Sequence, residues 1–485
     1  MSISSALNNA NSGLSVASRR AGVVSNNIAN ALTPGYVRRT ASVSENAVAG
    51  TGAGVKFDGV SRTVDPAITS DRRGAESVQA REQISASTYA SINSALGEPD
   101  DSFSLFAQYQ QFETSLRGLS QTPESQPLQA QVLDAAKALT NKFNQLTSQA
   151  QTIRRDADAK IDSLVDQLNG KLEQIEKLNH EISITGAGGQ NATALEDQRQ
   201  LLIDEVSEVI PVREVNRGNG KVDLITDEGV FLIAGAARQV DFDQATTITP
   251  TETLESGALS GLTVSGVSIT PNTGGTFSLK QGALAGLFET RDRIAVEFQA
   301  KIDGLSRDVI ERFEGIDPTT TIDAPGLFTD AGAAFDPTNE IGLAGRITVN
   351  AAVDPDKGGA AWRIRDGLGA VSEGAAGASG VINTMLDALT ALKTPPANTG
   401  LNGEIDAARA AADVTSAIGS RRISSENRLT AVTARTQALV DAEIGATGVD
   451  TDFELQQLIL IEQAFAANAR VIQIADRLIQ QLVEL

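Results

Sequence analysis

The chain contains no cysteine, which excludes a disulfide framework, a thiolate metal site and a thiol nucleophile. It has one histidine, His180, set in the charged helical run EKLNHEIS, where a solvated imidazole is the ordinary reading. Zinc sites draw on several His or Cys ligands, and a serine nucleophile needs an adjacent base. Aromatic residues make up 4% of the chain, with one Trp and three Tyr, so Leu, Ile, Val and Ala must build the core. No continuous apolar run reaches the roughly 18 residues expected of a membrane span. The opening MSISSALNNANSG has neither a basic nor a continuous apolar segment, so no cleaved Sec-type leader is expected there. Positive charge is also scarce: 40 Lys and Arg stand against 61 Asp and Glu, and the net charge of -21 disfavours nucleic acid and anionic membranes as partners.

Carboxylates are plentiful, but none is arranged as a catalytic pair. EDQ (196–198) and FETRDR (288–293) mix signs at helical spacing and read as intrahelical ion pairs on a solvated face. DPDKGGAAW (354–362) lacks the spacing of a phosphate-binding loop and reads as a glycine-rich turn between strands; GTGAG (50–54) is an equally weak glycine cluster. No enzymatic activity, metal or cofactor is expected.

What the sequence does carry is helical periodicity. Ile3, Leu7, Ala10, Leu14, Ala17, Ala21, Val24 and Ile28 alternate by four and three residues, a heptad seam thinned by alanine. The last helix answers it with Leu458, Ile461, Phe465, Asn468, Ile472, Ala475, Ile479 and Leu482, widened by Leu455, Val471, Ile474 and Leu478. Thr451 and Glu454 have capping-box spacing at its start. Asn468 either fixes the register of a pairing or sits rotated to the helix edge. Between the ends, a seam from Val132 to Ile182 predicts one helix of about 55 residues, roughly 80 Å long, with a stutter at Leu164, Leu168 and Leu172. It ends at GAGGQNA (186–192), and a shorter helix follows over 195–210.

At 485 residues, and about 150 residues per domain, roughly three domains are expected. Residues 212–280 alternate in the manner of strands and read as a small all-β domain. Helical spacing returns at 284–313, and 315–380 is irregular and rich in Gly, Ala and Asp, with a strand pair expected at RITVN and AWRIRDG. Helices resume at Val381 and over 402–442. The fold expected is therefore mainly α with inserted β. Residues 1–60 with 443–485 form a terminal coiled coil, and 61–211 with 281–314 and 381–442 form a long-helix bundle. Residues 212–280 and 315–380 are the insertions.

VSNNIANALTPGYVRR (24–39) closes the first helix. Pro34 biases its predecessors out of the helix, and Pro34-Gly35 fits the centre of a type II turn. Tyr36 is a candidate anchor, and Arg38 and Arg39 place positive charge beyond the turn. This stretch resembles the N-terminal signature of the bacterial flagellar rod, hook and hook-associated axial proteins. Asn26, Asn27, Ile28, Ala29, Asn30, Thr33, Pro34, Gly35, Tyr36 and Arg38 match it. Gln463, Phe465, Ala467 and Asn468 match the C-terminal signature, with Phe465 where Tyr is more usual. Internal segments, including LEDQRQLLIDEVSEVIPVREV and GALAGLFETRDRIAVEFQAKIDGLSRDV, resemble the hook-associated members at the hook-filament junction.

The resemblance implies a structural, non-enzymatic subunit that assembles into a ring with hook protein and hook-associated protein 3 as neighbours. It also implies export by the flagellar type III apparatus without a cleaved signal peptide, an extracellular location, and β domains facing outward. An export chaperone is expected on the C-terminal helix, and no membrane insertion. A hook or rod protein of the same family, or a secreted coiled-coil adhesin, is the alternative reading.

Overall fold

The computed structural model describes residues 3–48, 51–98 and 100–483. It is mainly helical, with small antiparallel sheets between helices. In chain order α1 (Ile3–Ala29) leads into the hairpin β1 (Arg39–Val48) and β2 (Thr51–Arg62). Four helices follow: α2 (Pro66–Leu96), α3 (Leu105–Gln121), α4 (Gln126–Ala187) and α5 (Thr193–Val209). Strands β3 (Val212–Gly218), β4 (Lys221–Thr226), β5 (Phe231–Ala234) and β6 (Ala236–Ala237) form one meander. Beyond it lie the two-residue strands β7 (Val240–Asp241), β8 (Thr263–Val264) and β9 (Val267–Ser268). Helices α6 (Gly282–Glu289) and α7 (Ala295–Phe313) precede β10 (Phe328–Asp330) and β11 (Ile347–Val349). The chain finishes with α8 (Arg363–Asp366), α9 (Gly380–Thr390), α10 (Ala407–Thr447) and α11 (Thr451–Val483).

The chain divides into two compact units, 80–165 with 241–431, and 1–79 with 166–240 and 432–485. These boundaries cut across the segments read from the sequence, because α2, α4 and α10 each contribute to both units. Residues 212–280 divide near Val240. The hairpin β1–β2 was not read from the sequence, although TASVSENAV and GVKFDGV alternate on either side of the glycine cluster.

Helix α4 forms as its seam predicts, with one physical adjustment. Val165 and Asn179 are buried where Leu164 and Leu178 had been expected to face inward. Two successive four-residue steps, Ala157 to Ile161 to Val165, absorb the stutter by shifting the inward face one residue. Asn179 is then used as a bracket: it donates to the Val222 carbonyl at 2.8 Å and accepts from Val222 N at 3.1 Å. Asn169 makes the same two-way contact with Val240 at 2.9 Å in each direction. The meander, through Val222, and β7, through Val240, are thus tied to the flank of α4 by side-chain amides that satisfy backbone groups of the strands.

In the unit 80–165 with 241–431 the core gathers α3, the first part of α4, α7, α9 and the start of α10. Phe112, Phe313 and Phe328 form a triad with ring centroids 5.1 to 5.9 Å apart. Strand β11 pairs with β10, not with AWRIRDG as expected; Phe328 faces Val349 across the ladder. AWRIRDG turns as the short helix α8 because Gly367 leaves it at φ 105°, a conformation that ends the helix. DPDKGGAAW is likewise a pair of tight turns, with Asp354 accepting from Asp356 N at 3.2 Å and from Lys137 Nζ at 2.8 Å.

Three arginines are wholly buried here. Arg312 donates to the carbonyls of Ala388, Ala391 and Ile405 and pairs with Asp308 at 2.7 Å. Arg154 donates to the carbonyls of Arg291 at 3.0 Å and Thr249 at 2.8 Å. A π-helical turn at Thr290–Ile294 joins α6 to α7 and places Arg291 inside, against Asp158 at 2.6 Å and Asp292 at 2.8 Å. FETRDR is therefore only partly the solvated ion-pair face expected: Arg293 pairs with Glu289 one turn away, but the extra residue of the π turn rotates Arg291 into the core.

Asp303 on α7 is 2% exposed and accepts from Gly342 N and Ala344 N at 2.8 Å and from Gln299 Nε2 at 2.9 Å. Burial outweighs these bonds and pushes its carboxyl up to about 6. The fold therefore binds the proton more tightly than the unfolded chain does. The resulting stabilisation is complete below the ordinary carboxylate pKa and is lost as pH rises through about 6. Denaturant unfolding should show Asp303→Asn lacking a loss of about 3 kcal/mol that the parent chain suffers across that window. Identical pH profiles for the two proteins would contradict this assignment.

Candidate assembly site

The turn after α1 is organised by one buried side chain. Asn27 is fully buried, and its Oδ1 accepts from Tyr36 OH at 2.9 Å and from Arg39 N at 3.0 Å. Its Nδ2 donates to the Arg39 carbonyl at 2.8 Å. A single side-chain amide, with its separate acceptor oxygen and donor nitrogen, thus closes the chain from the last turn of α1 to the first residue of β1. Tyr36 N donates to the Thr33 carbonyl at 3.1 Å and Gly35 has φ 74°, the geometry that Pro-Gly predicts for a type II turn. Gly35 is also hemmed in, since a Cβ there would lie 2.6 Å from Leu201. Burial raises the Tyr36 phenol above its ordinary range, which keeps it a neutral donor.

The other motif residues at the turn are more exposed. Asn26 and Pro34 face solvent, and Asn30 donates to the Asn26 carbonyl at 2.9 Å while accepting from Thr33 Oγ1 at 3.3 Å. The two arginines are not loose positive charge. Arg38 N donates to the Thr447 carbonyl at 2.9 Å, and its guanidinium lies 5.3 Å from the Phe453 ring. Arg39 lies 4.7 Å from the Tyr36 ring and pairs with Asp197 at 3.0 Å.

Asp197 also meets Arg62 at 2.6 Å, so one carboxylate on α5 holds both ends of the hairpin. This overturns the reading of EDQ as a solvated intrahelical pair: Asp197 is 7% exposed, and its partners come from β1 and β2. A second cluster joins Arg72 and Arg73 of α2 to Asp204 at 2.9 and 2.6 Å, with Glu214 and Glu443 completing it. Arg62 was not picked out from sequence, and Asp197 was read only within EDQ, because ion pairs between residues far apart leave no periodic trace.

Helices α1 and α11 pack antiparallel. Ala17, Val24 and Ile461 are buried together, with Ala21, Ile28 and Leu458 packed against them. Farther along, Asn468 lies over Gly13, where an added Cβ would come within 2.7 Å of its Oδ1. Its Nδ2 donates to the Ala464 carbonyl at 2.9 Å, so Asn468 sits in the contact with its amide turned back on its own helix. Ala10 and Ala475 are buried, while Ile3, Leu7, Leu14 and Ile472 are half-buried. Gln463 is exposed, as are Phe465 at 46% and Ile479; the side chain of Leu482 lies outside the described residues. The start of α11 is capped by Asp450, which accepts from Asp452 N at 2.9 Å and Phe453 N at 3.2 Å, and not by Thr451 as its spacing had suggested.

The outward side of α11 is apolar too. Leu455, Ile459, Leu460, Val471, Ile474 and Leu478 are each between 41% and 57% exposed. A window within Ala407–Gln481 reaches a mean hydropathy of 1.3, long and apolar enough to cross a membrane by composition, although only 11% of it is buried. Runs of apolar residues this contiguous on a surface mark an interaction face.

Residues 89–320 match the family described as flagellar hook-associated protein FlgK helical domain. Residues 7–36 match flagella basal body rod protein, and 444–485 match flagellar basal body rod FlgEFG protein C-terminal. The flagellar hook-associated protein 1 of Salmonella typhimurium is 32% identical over 246 residues, covering 49% of this chain and 44% of that protein. The Escherichia coli protein of the same name is 30% identical over 246 residues, covering 49% and 45%. That of Bacillus subtilis is 24% identical over 501 residues, covering 94% and 93%. The match thus spans less than half the length of the first two relatives and nearly all of the third. A solved flagellar hook junction protein from Burkholderia pseudomallei superposes on 54% of this chain and 47% of its own, at TM-score 0.44 and 19% identity.

Proposed function

We propose, from the premise that this chain belongs to the family of flagellar hook-associated protein 1, that it is a structural subunit at the junction of hook and filament. The observation that carries the reading is the apolar outer face of α11, on a helix whose inner face already packs on α1. A face that is apolar on both sides of one helix has a use when copies pack side by side, so the terminal pair polymerises as a coiled coil into a ring. Asn27 and Asp197 hold the turn that redirects the chain from this pair to the hairpin. Matches at 7–36 and 444–485 belong to rod proteins and favour a general axial role; the match at 89–320 favours the junction within it.

On this reading the neighbours are hook protein and hook-associated protein 3, export proceeds through the flagellar type III apparatus, and an export chaperone covers the outer face of α11 beforehand. No catalytic role is proposed. The decisive experiment adds the purified chain to hooks that lack their cap. Docking at the distal end followed by filament growth is expected, and a chain that stays in solution would refute the reading. The thin alanine-rich contact of α1 with α11 supports a pair that opens readily in the monomer. Hydrogen exchange should be fast over 1–50 and 445–485 in the monomer and slow after assembly; equal protection in both states would contradict it.

A further inference from the structure

The unit that holds the terminal helices encloses a cleft of about 1220 Å³, bordered by β2, the start of α2, the end of α4, the N-terminus of α5 and β3. Three of its lining arginines are nine-tenths or more buried: the side chains of Arg62 and Arg73 are 10% and 5% exposed, and Arg199 is 6% exposed. Each is held on one side. Arg62 Nε lies 2.6 Å from Asp197, Arg73 pairs with Asp204 and Glu214 at 2.6 Å, and Arg199 donates to Asn179 Oδ1 at 2.8 Å. Each also keeps a nitrogen with no hydrogen-bond acceptor among the described residues: Nη2 of Arg62, Nη2 of Arg73 and Nε of Arg199. A buried donor without an acceptor is costly, and three around one cleft call for an acceptor from outside.

A second observation points to the same ligand charge. Helix α5 starts at the cleft wall; Thr193 N donates to Asn191 Oδ1 at 2.9 Å, and Ala192 at the N-cap position supplies no side-chain acceptor to the rest of the first turn. The positive end of a 17-residue helix therefore adds to the arginines. Two of the nearby carboxylates are already engaged, Glu214 by Arg73 and Gln200 and Glu443 by Arg72. Glu196 and Asp58, the latter 3.5 Å from Lys56 Nζ, remain at the rim as opposing charges.

We infer that this cleft is a carboxylate-binding site whose occupant is an Asp or Glu side chain of a second copy of this chain. The planar fork of a guanidinium matches a carboxylate. With 61 acidic residues against 40 basic ones, a carboxylate is the charged group that a neighbouring copy most often presents. The free Nη2 groups of Arg62 and Arg73 are closed from solvent, so entry of the carboxylate turns the ends of both side chains toward it. The inference rests on the reading that copies of the chain assemble.

The test titrates the full chain with a tetraglutamate peptide at low salt by calorimetry, with inorganic phosphate as competitor. Arg62→Lys keeps a cation for Asp197 but removes Nη2; Arg213→Gln, at a rim position 58% exposed, leaves folding undisturbed. Saturable binding is expected, weakened about tenfold by Arg62→Lys and less by Arg213→Gln, as the loss of one charged hydrogen bond gives. Absence of saturable binding overturns the site, as does binding that neither variant weakens. Displacement of the peptide by equimolar phosphate makes it a small-anion site and overturns the proposed occupant. A chain that binds no peptide yet docks on hooks fails here alone; one that binds peptide but never docks loses the second copy as occupant.

Discussion

Asn27→Ala should lower the stability of the unit containing the terminal helices by about 3 kcal/mol, because it strands Tyr36 OH, Arg39 N–H and the Arg39 carbonyl around a buried position. Tyr36→Phe removes only one of these bonds and should cost about 1 kcal/mol. If the motif served only contacts between subunits, both variants would melt like the parent and fail solely in assembly. Denaturant unfolding of the isolated chain, read beside docking on hooks, separates these outcomes. After assembly, the loss of hydrogen-exchange protection in Asn27→Ala should centre on 36–40, where the amide closes the chain.

A comparable loss is expected in the other unit for Asp158→Ala. Asp158 accepts from Arg291 at 2.6 Å and from Ala245 N at 2.8 Å, and Arg291 has no exposure to water. Removing the carboxylate leaves a buried guanidinium with Asp292 as its remaining charged partner, a defect worth about 3 to 5 kcal/mol. The double variant Asp158→Leu with Arg291→Met removes both charges and should be more stable than Asp158→Ala. If instead the single and double variants cost the same, Arg291 is held by Ser260 and the flanking Phe242 and Phe288 rings, and the ion pair contributes little.

The helices were legible because each repeats its reason for forming every three or four residues. About fourteen successive turns of α4, from Val132 to Ile182, carry an apolar seam, and no remote contact is needed to recognise it. The Pro34-Gly35 turn was legible for the same reason, since its geometry is fixed by two adjacent residues. Strand partners were harder. RITVN was recognised as a strand, but its partner Phe328–Asp330 is three residues long, too short for alternation to register, whereas AWRIRDG alternates and yet turns as a helix.

By itself the sequence determined a mainly helical chain, bounded by two seam-forming helices whose motifs resemble the terminal signatures of axial proteins. Those properties depend on residue type and local spacing. Only the tertiary structure decided that Asn27 is a buried bracket, that Asp197 holds Arg39 and Arg62, that a π turn delivers Arg291 to Asp158, and that Arg62, Arg73 and Arg199 border one cleft. Each of these joins groups from separate elements, and Coulomb attraction and hydrogen bonding depend on distance in space, which the order of residues along the chain does not record.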